Sequence, residues 1–463
     1  MSFEKYLKSL SGKRVSVVGA GVSNTPLIEA LLFAGIDTTV CDKRPRDKME
    51  DTANHFQHLG AKLCLGENYL DNLNADIIFR TPGLMPSHPM LQKAVAGGSL
   101  LTSEMEVFFD ICPCKTIGVT GSDGKTTTTS IIAEILKNQG ETVHLGGNIG
   151  TPLLCSVDDI QKDDIAVLEL SSFQLISMRK SPEIAILTNL SPNHLDVHSC
   201  MQEYADAKRN IFLHQHSKDR IVFNRDNEYT PDYEKDVKAD EVFYFSGAAP
   251  KGKIQNGARL ENGIIYLINN GREEKLMEAQ DIRLPGAHNV ENYMAAFVAL
   301  RGLASKDAMI DTARSFCGVE HRLEAVRQHN GIQYYNDSIA SSPSRTIAGL
   351  RSFDQKVILI AGGKDKGVPY DEIGPVIIEK VKTLILTGMS AETIRVAVLN
   401  TPGHSGTPNI IMQDDFKEAV LTASKVAESG DIVLLSPAST SFDCFADFAQ
   451  RGEYFKEIVR GLQ

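Results

Sequence analysis

No apolar run in the 463 residues approaches the roughly 20 that a bilayer-spanning helix requires, and runs such as VILIA at 357–361 are short. The opening MSFEKYLKSLSGKR holds no apolar stretch of the kind that directs secretion. An excess of basic charge is also missing. Lys and Arg number 48 against 59 Asp and Glu, a net charge of −11, and such a surface repels the phosphates of nucleic acids and anionic membranes. Cysteine clusters are scarce as well. Of Cys41, Cys64, Cys112, Cys114, Cys155, Cys200, Cys317 and Cys444, only Cys112 and Cys114 lie close together, and C-x-C spacing alone is neither a zinc site nor a redox pair. Scattered thiols fit a reducing cytoplasm. The absences leave a cytoplasmic protein with no nucleic-acid partner and no membrane insertion as the expectation.

What is present is ordinary globular material, 42% hydrophobic and 23% charged, in a length that suggests about three domains. Short apolar segments alternate with helical ones, which argues for α/β architecture with parallel sheets. Strands are expected at 14–18, 38–41 and 75–79, then at 116–119, 165–170 and 184–188, and again at 332–335, 357–361, 384–387 and 432–435. Ile131, Ile132, Ile135 and Leu136 share one face of an expected helix, which Gly140 would cap. A helix is expected to begin within 284–292, and another over 201–213. The polar stretch 225–280 reads as a peripheral insertion or a small antiparallel sheet. The pattern breaks at 112–114 and restarts near 318, so the expected domains are 1–112, 113–317 and 318–463, each with a parallel sheet.

The strongest chemical signal is Gly121-Ser122-Asp123-Gly124-Lys125-Thr126-Thr127, set between a strand and a helix. Backbone N–H groups of such a turn, with the helix N-terminus, cradle polyphosphate. Lys125 would bring a point charge to the phosphates, and the Thr126 hydroxyl would ligate Mg²⁺. The first segment carries Gly19-Ala20-Gly21-Val22-Ser23-Asn24 with Asp42 ending the next strand, half of a dinucleotide fingerprint, followed by Lys43, Arg44 and Arg46. Glu169 and His194 stand at strand ends, where ligands of open parallel sheets collect. His194 and His198 have helical zinc-pair spacing, but no general base lies between them and Pro192 favours a loop. Lys208 shares a helix face with Met201, Tyr204, Ile211 and Phe212, and a lysine on an apolar stripe is disfavoured as an ammonium. Asp337, Gly362–Lys366 and Ser436–Ser441 follow three further strands and suggest one crevice.

Taken together, GVTGSDGKTTTT (118–129), GGNIGTP (146–152), LELSSFQL (168–175), LTNLSPNHLD (187–196), YADAK (204–208), LPGAHNVEN (284–292), GVEHR (318–322), NDS (336–338) and LLSPASTSFDCF (434–445) resemble the Mur ligases. The resemblance implies ATP-dependent joining of an amino acid to a UDP-N-acetylmuramoyl acceptor, and LELSSFQL with SPASTSFD resembles the branch that adds D-glutamate to UDP-N-acetylmuramoyl-L-alanine in peptidoglycan precursor synthesis. It implies that Gly121–Thr127 bind ATP with Asn289, Asn292, Arg322 and Asp337. It further implies that Thr126, Glu169, His194 and a carbamylated Lys208 surround Mg²⁺, and that Lys125, Glu169, His194 and Lys208 are catalytic. Ser23, Asp42, Arg44, Thr81 and Asn148 would contact the UDP-sugar, and Lys366, Ser441 and Phe448 the D-glutamate. The resemblance also implies a Rossmann-like first domain, a central P-loop-type ATPase domain, a Rossmann-like last domain and a monomer. Asp123 departs from the asparagine common in the family, and its charge should turn away from the phosphates. Another Mur or folylpolyglutamate-type ligase is the neighbouring alternative, although the Rossmann-like first domain argues against the folate branch. An NADP-dependent oxidoreductase or a non-catalytic nucleotide-binding regulator would leave 121–127 or Lys208 unexplained.

Overall fold

The computed structural model describes every residue except 72, 193–196, 249–252, 366–368, 404 and 463. The chain forms two compact units, one of 1–279 with 291–312, the other of 280–290 with 313–463. The boundary therefore falls inside the 113–317 stretch. The described residues build three sheets, two in the first unit and one in the second.

The first sheet consists of β1 (Arg14–Val18), β2 (Asp37–Asp42), β3 (Lys62–Leu65), β4 (Ile77–Arg80) and β5 (Leu100–Thr102), in the order β3-β2-β1-β4-β5. All its pairings are parallel. This is a doubly wound order whose switch point lies between β1 and β4, and a crevice opens there at the carboxyl ends of the strands.

The second sheet contains β6 (Lys115–Thr120), β7 (Val143–Gly147), β8 (Ile165–Glu169), β9 (Ile184–Leu187), β10 (Arg220–Asn224), β11 (Glu241–Ser246), β12 (Gly257–Glu261), β13 (Ile264–Asn269) and β14 (Arg272–Glu278). Its order is β14-β13-β12-β11-β10-β9-β6-β8-β7, parallel from β7 through β12 and antiparallel over β12–β14. The polar 225–280 stretch is thus not a separate small sheet. It supplies β11 to the parallel part and an antiparallel edge to the same sheet. Apolar residues of both sheets, among them Val17, Phe79, Leu168 and Phe223, belong to one continuous core of the first unit.

The second unit holds β15 (Glu324–His329), β16 (Ile332–Asn336), β17 (Val357–Ala361), β18 (Val381–Leu386), β19 (Asn409–Met412) and β20 (Ile432–Leu435), in the order β15-β16-β20-β17-β18-β19. Only β15 runs antiparallel. Every residue of β17 is buried, because a parallel strand covered on both faces reads as a continuous apolar run. Among the described residues, no helix is long and apolar enough to cross a membrane.

Candidate functional site

In the first unit, β6 delivers the chain into the turn 121–124 and the helix Lys125–Gln139 leaves it. Two positive-φ glycines shape the turn. Gly124 (φ +77°) precedes the helix, and a Cβ there would lie 2.3 Å from Asn292 Oδ1. Gly121 (φ +153°) would place a Cβ 1.9 Å from Thr188 Oγ1. Neighbouring loops pin the turn from outside. Ser122 N donates to Asn189 O (3.0 Å) and Asp123 N to Asn189 Oδ1 (2.9 Å). Thr188 Oγ1 donates to Asp123 O (2.6 Å), and Ser122 Oγ meets Ser191 O (2.8 Å) and Tyr204 OH (3.0 Å). Two N–H groups expected to face the concavity are therefore engaged by Asn189, which leaves the anion-binding role to the N-terminal turn of the helix. Asp123 itself is exposed. Gly124→Ala should cost about 1–2 kcal/mol in left-handed backbone strain before any clash. Lower thermal stability and weakened nucleoside-triphosphate binding would check this.

Over this turn stands a cluster of charged groups at the carboxyl ends of β6 and β8. Lys125 Nζ donates to Gly121 O (2.9 Å) and Ser122 O (2.8 Å). Glu169, 2% exposed, accepts from Thr126 Oγ1 (2.7 Å) through one oxygen and from Asn148 Nδ2 (2.9 Å) through the other. Asn148, expected among the UDP-sugar contacts, is therefore a partner of Glu169. Lys208 is 1% exposed rather than reaching solvent. Its Nζ donates to Gly121 O (2.8 Å) and Thr120 Oγ1 (3.2 Å) and lies 4.8 Å from the centre of the Tyr204 ring. Burial, reinforced by the Lys125 charge, pushes its pKa well below the usual lysine value against the pull of Glu169 and Asp123. The helix carrying it ends at Arg209, not 213, and the chain goes on through Ile211 N–Lys208 O and Phe212 N–Arg209 O bonds that bury both apolar residues. His194 lies outside the described residues. His198 is buried, stacked on Phe173 (5.2 Å), with Nε2 3.0 Å from Ser172 Oγ and Nδ1 3.6 Å from Glu203, so its ring serves protein groups rather than a zinc pair.

The first sheet gathers a second cluster at the turn after β1. Asp42 accepts from Ala20 N (2.8 Å) and takes both Arg44 Nε (2.9 Å) and Nη2 (2.8 Å). Burial works against its ionisation, yet these bonds hold the carboxylate below its usual range. Asn24, at the third-glycine position, donates to Gly19 O (2.9 Å) and Val18 O (3.2 Å). Thr81 faces Gly19, where a Cβ would come within 2.8 Å of the threonine Cβ. Ser23 lies in the same turn. Arg44 and Arg46 both serve protein groups, Arg46 bonding Asn54 and Gln57, rather than forming a free phosphate cradle.

In the second unit the three polar clusters meet at the carboxyl ends of β16, β17 and β20. Ser436 Oγ donates to Asp337 Oδ2 (2.7 Å), and Lys364 and Thr440 exchange backbone hydrogen bonds (2.8 and 3.2 Å). Arg322 sits between two residues of positive φ, His321 (+62°) and Leu323 (+42°), and Leu323 N donates to Asp337 Oδ1 (3.3 Å). Such a strained turn holds only where its surroundings fix it. Asn289 Nδ2 donates to Pro285 O (2.6 Å). Ser441 is buried, and Phe448, the first residue of the helix Phe448–Arg460, packs edge-on to His321 at 5.9 Å. Lys366 lies outside the described residues. Sequence reasoning missed Arg451, 2% exposed, which donates to Ser338 Oγ (3.0 Å), Ser338 O (2.9 Å) and Ser439 O (3.1 Å). Its four-residue spacing from buried Phe455 was the available signal. Glu320, His321 and Glu453 could hold a metal by proximity, but the Lys456 ammonium already lies 2.7 Å from Glu320 and 2.6 Å from Glu453.

Burial raises the Asp337 pKa from 3.8 to about 7, against hydrogen bonds from Ser436 and Leu323 and the charges of Arg322 and Arg345. Stability from the neutral carboxyl is therefore complete below the unfolded pKa of 3.8 and is lost as pH climbs through about 7. Asp337→Asn should flatten the fall of melting temperature across that window. Parallel pH profiles for variant and wild type would contradict it.

Comparison with known proteins adds the following. Residues 119–300 match the family model described as Mur ligase middle domain, and residues 321–439 that described as Mur ligase, glutamate ligase domain. A protein of Ruminiclostridium cellulolyticum named UDP-N-acetylmuramoylalanine--D-glutamate ligase is 48% identical over 464 residues, covering 99% of each chain. One of Clostridium novyi with the same name is 46% identical, covering 100% of this chain and 99% of its own. Among solved structures, the UDP-N-acetylmuramate-alanine ligase MurC of Thermotoga maritima superposes with a TM-score of 0.56 at 17% identity, covering 97% of this chain and 99% of the other. A pseudomurein peptide ligase type C of Methanothermus fervidus gives 0.52 at 20%, covering 98% and 100%. At these identities the structural likeness is one of fold.

Proposed function

The chain belongs to the Mur ligases, and from that membership we propose that it joins D-glutamate to UDP-N-acetylmuramoyl-L-alanine, driven by ATP, as a cytoplasmic monomer. The reading rests on one arrangement above all: Lys125, Thr126, Glu169 and Lys208 gathered around one phosphate-type turn. A carboxylate does not react with an amine at neutral pH, because oxide would have to leave. Phosphorylation of the L-alanyl carboxylate gives an acyl phosphate, the amine of D-glutamate attacks the carbonyl carbon, and phosphate departs. Lys125 neutralises charge on the phosphoryl group in transfer.

Buried Lys208, disfavoured as an ammonium, is suited to take up carbon dioxide as a carbamate, releasing a proton. It would then present oxygen beside Glu169. Hydroxyl and carboxylate oxygens are the donors Mg²⁺ prefers, so Thr126, Glu169 and carbamylated Lys208 fit that ion, and His194 is proposed as a nitrogen ligand beside them. When bound, Mg²⁺ would supply charge neutralisation to the phosphates. Residues 1–112, with Ser23, Asp42, Arg44 and Thr81, are assigned to the UDP-sugar, with Asn148 supporting Glu169 as well. Residues 113–317 are assigned to ATP, and 318–463 to the amino acid through Lys366, Ser441 and Phe448. Asn289, Asn292, Arg322 and Asp337 keep their nucleotide roles.

Phosphate release with ATP, UDP-N-acetylmuramoyl-L-alanine and a panel of amino acids tests the proposal. D-glutamate should support turnover and L-glutamate should not, since inversion at the α-carbon turns the amine away when both carboxylates stay bound. Lys366→Ala should raise the KM for D-glutamate by roughly 10–150-fold, the loss of one charge-assisted contact of about 1.5–3 kcal/mol. Faster turnover with another amino acid would move the chain to a different branch of the family.

A further inference from the structure

The thiols of Cys112 and Cys114, which C-x-C spacing alone leaves uninformative, lie with their sulfurs 3.6 Å apart. Cys112 is half-buried, whereas Cys114 is 5% exposed. Cys112 Sγ also approaches Cys114 O (3.8 Å), and Cys114 Sγ approaches Lys115 O (3.6 Å). Among the described residues all eight cysteines are free. The pair occupies the connection from the helix Glu104–Ile111 to β6, the strand that ends in the phosphate-type turn.

We propose that Cys112 and Cys114 form a reversible dithiol–disulfide couple that exchanges with small disulfides, Cys112 attacking and Cys114 resolving. Bridging them brings the sulfurs from 3.6 Å to a bond of about 2.05 Å. The two roles follow from access and polarity. Cys112 is the thiol a small molecule can reach. The hydrogen bond from the Cys114 thiol lowers the Cys112 pKa, whereas that bond and burial raise the Cys114 pKa. The Cys112 thiolate attacks one sulfur of a small disulfide, whose S–S bond breaks and expels a thiolate that takes up a proton. Cys114 then loses its proton and attacks the Cys112 sulfur of the mixed disulfide, expelling the second small thiolate. Two protein thiols are oxidised by two electrons and one small disulfide is reduced to two thiols. The oxidation state is thus imposed at the root of the strand that carries Lys125's turn, which the ligation chemistry itself does not require.

The test uses the full chain incubated with glutathione disulfide and then analysed by intact mass and peptide mapping. The wild type should lose two hydrogens and yield a Cys112–Cys114 bridge, reversed by dithiothreitol. Cys114→Ser should accumulate glutathione on Cys112, whereas Cys112→Ser should leave Cys114 unmodified. Three results overturn the proposal: glutathione persisting on wild-type Cys112, a bridge formed instead between Cys41 and Cys64, and modification confined to exposed Cys200 and Cys444. The wild-type measurement decides the matter even if a variant folds poorly.

Discussion

Alanine at position 125 should lower turnover by about 10²–10³-fold, more if the charge also fixes the substrate, while the protein stays folded. The lysine opens the helix Lys125–Gln139, where alanine is at least as good a helix former. Its bonds run to the Gly121 and Ser122 carbonyls of the turn, which Asn189, Ser191 and Thr188 hold by other contacts. What the substitution removes is a preorganised cation, and charge in flight is what a phosphoryl transfer must stabilise. Phosphate release and thermal unfolding, measured side by side, separate the two effects. Turnover near that of the wild type would remove Lys125 from the chemistry.

Lys208→Ala should be almost inactive for a different reason. The side chain is buried against Tyr204 and bonded to Gly121 and Thr120, and burial drives it towards the neutral amine. If that amine carries a carbamate, alanine deletes a carboxylate and leaves a space about four methylenes long. Formate, acetate or propionate should then restore part of the rate, which they would not do for Lys125→Ala. Wild-type turnover should also rise with added bicarbonate after exhaustive degassing. Failure of every short acid to rescue, together with indifference to bicarbonate, would return Lys208 to a purely packing role.

Much of this was legible in the chain itself, and the reasons differ by element. Strands buried on both faces write themselves as apolar runs, so Val357–Ala361 and Ile432–Leu435 match the expected bounds residue for residue. β3, β5 and β7 escaped because they are short and only partly buried, with KLCL, LLT and VHLGG offering neither alternation nor a run. Glu169, Lys125 and Lys208 were visible through position at a strand end, a glycine-rich turn and an apolar stripe. The bond of Asn148 to Glu169 was not legible, because it joins the ends of β7 and β8 and no local pattern encodes it. Asn189 acts through a long-range contact to backbone that no local pattern encodes, and Arg451 offered only its four-residue spacing from Phe455.

The antiparallel border of the nine-stranded sheet bears on solubility. β14 begins Arg-Glu-Glu-Lys, all four exposed, and these charges line the outermost strand. Arg259 on β12 bridges Glu261 and Glu273, and Lys306 pairs with Glu274. An unpaired strand rim is a template for a second molecule, and charge along it is what discourages that docking. Behind this border lies β11, whose Val-Phe-Tyr-Phe core is strongly apolar. The hairpin of β13 and β14, far from the phosphate-type turn, therefore works as a terminator of sheet growth. Its neutralisation would leave Lys125, Glu169 and Lys208 in place and yet favour edge-to-edge self-association.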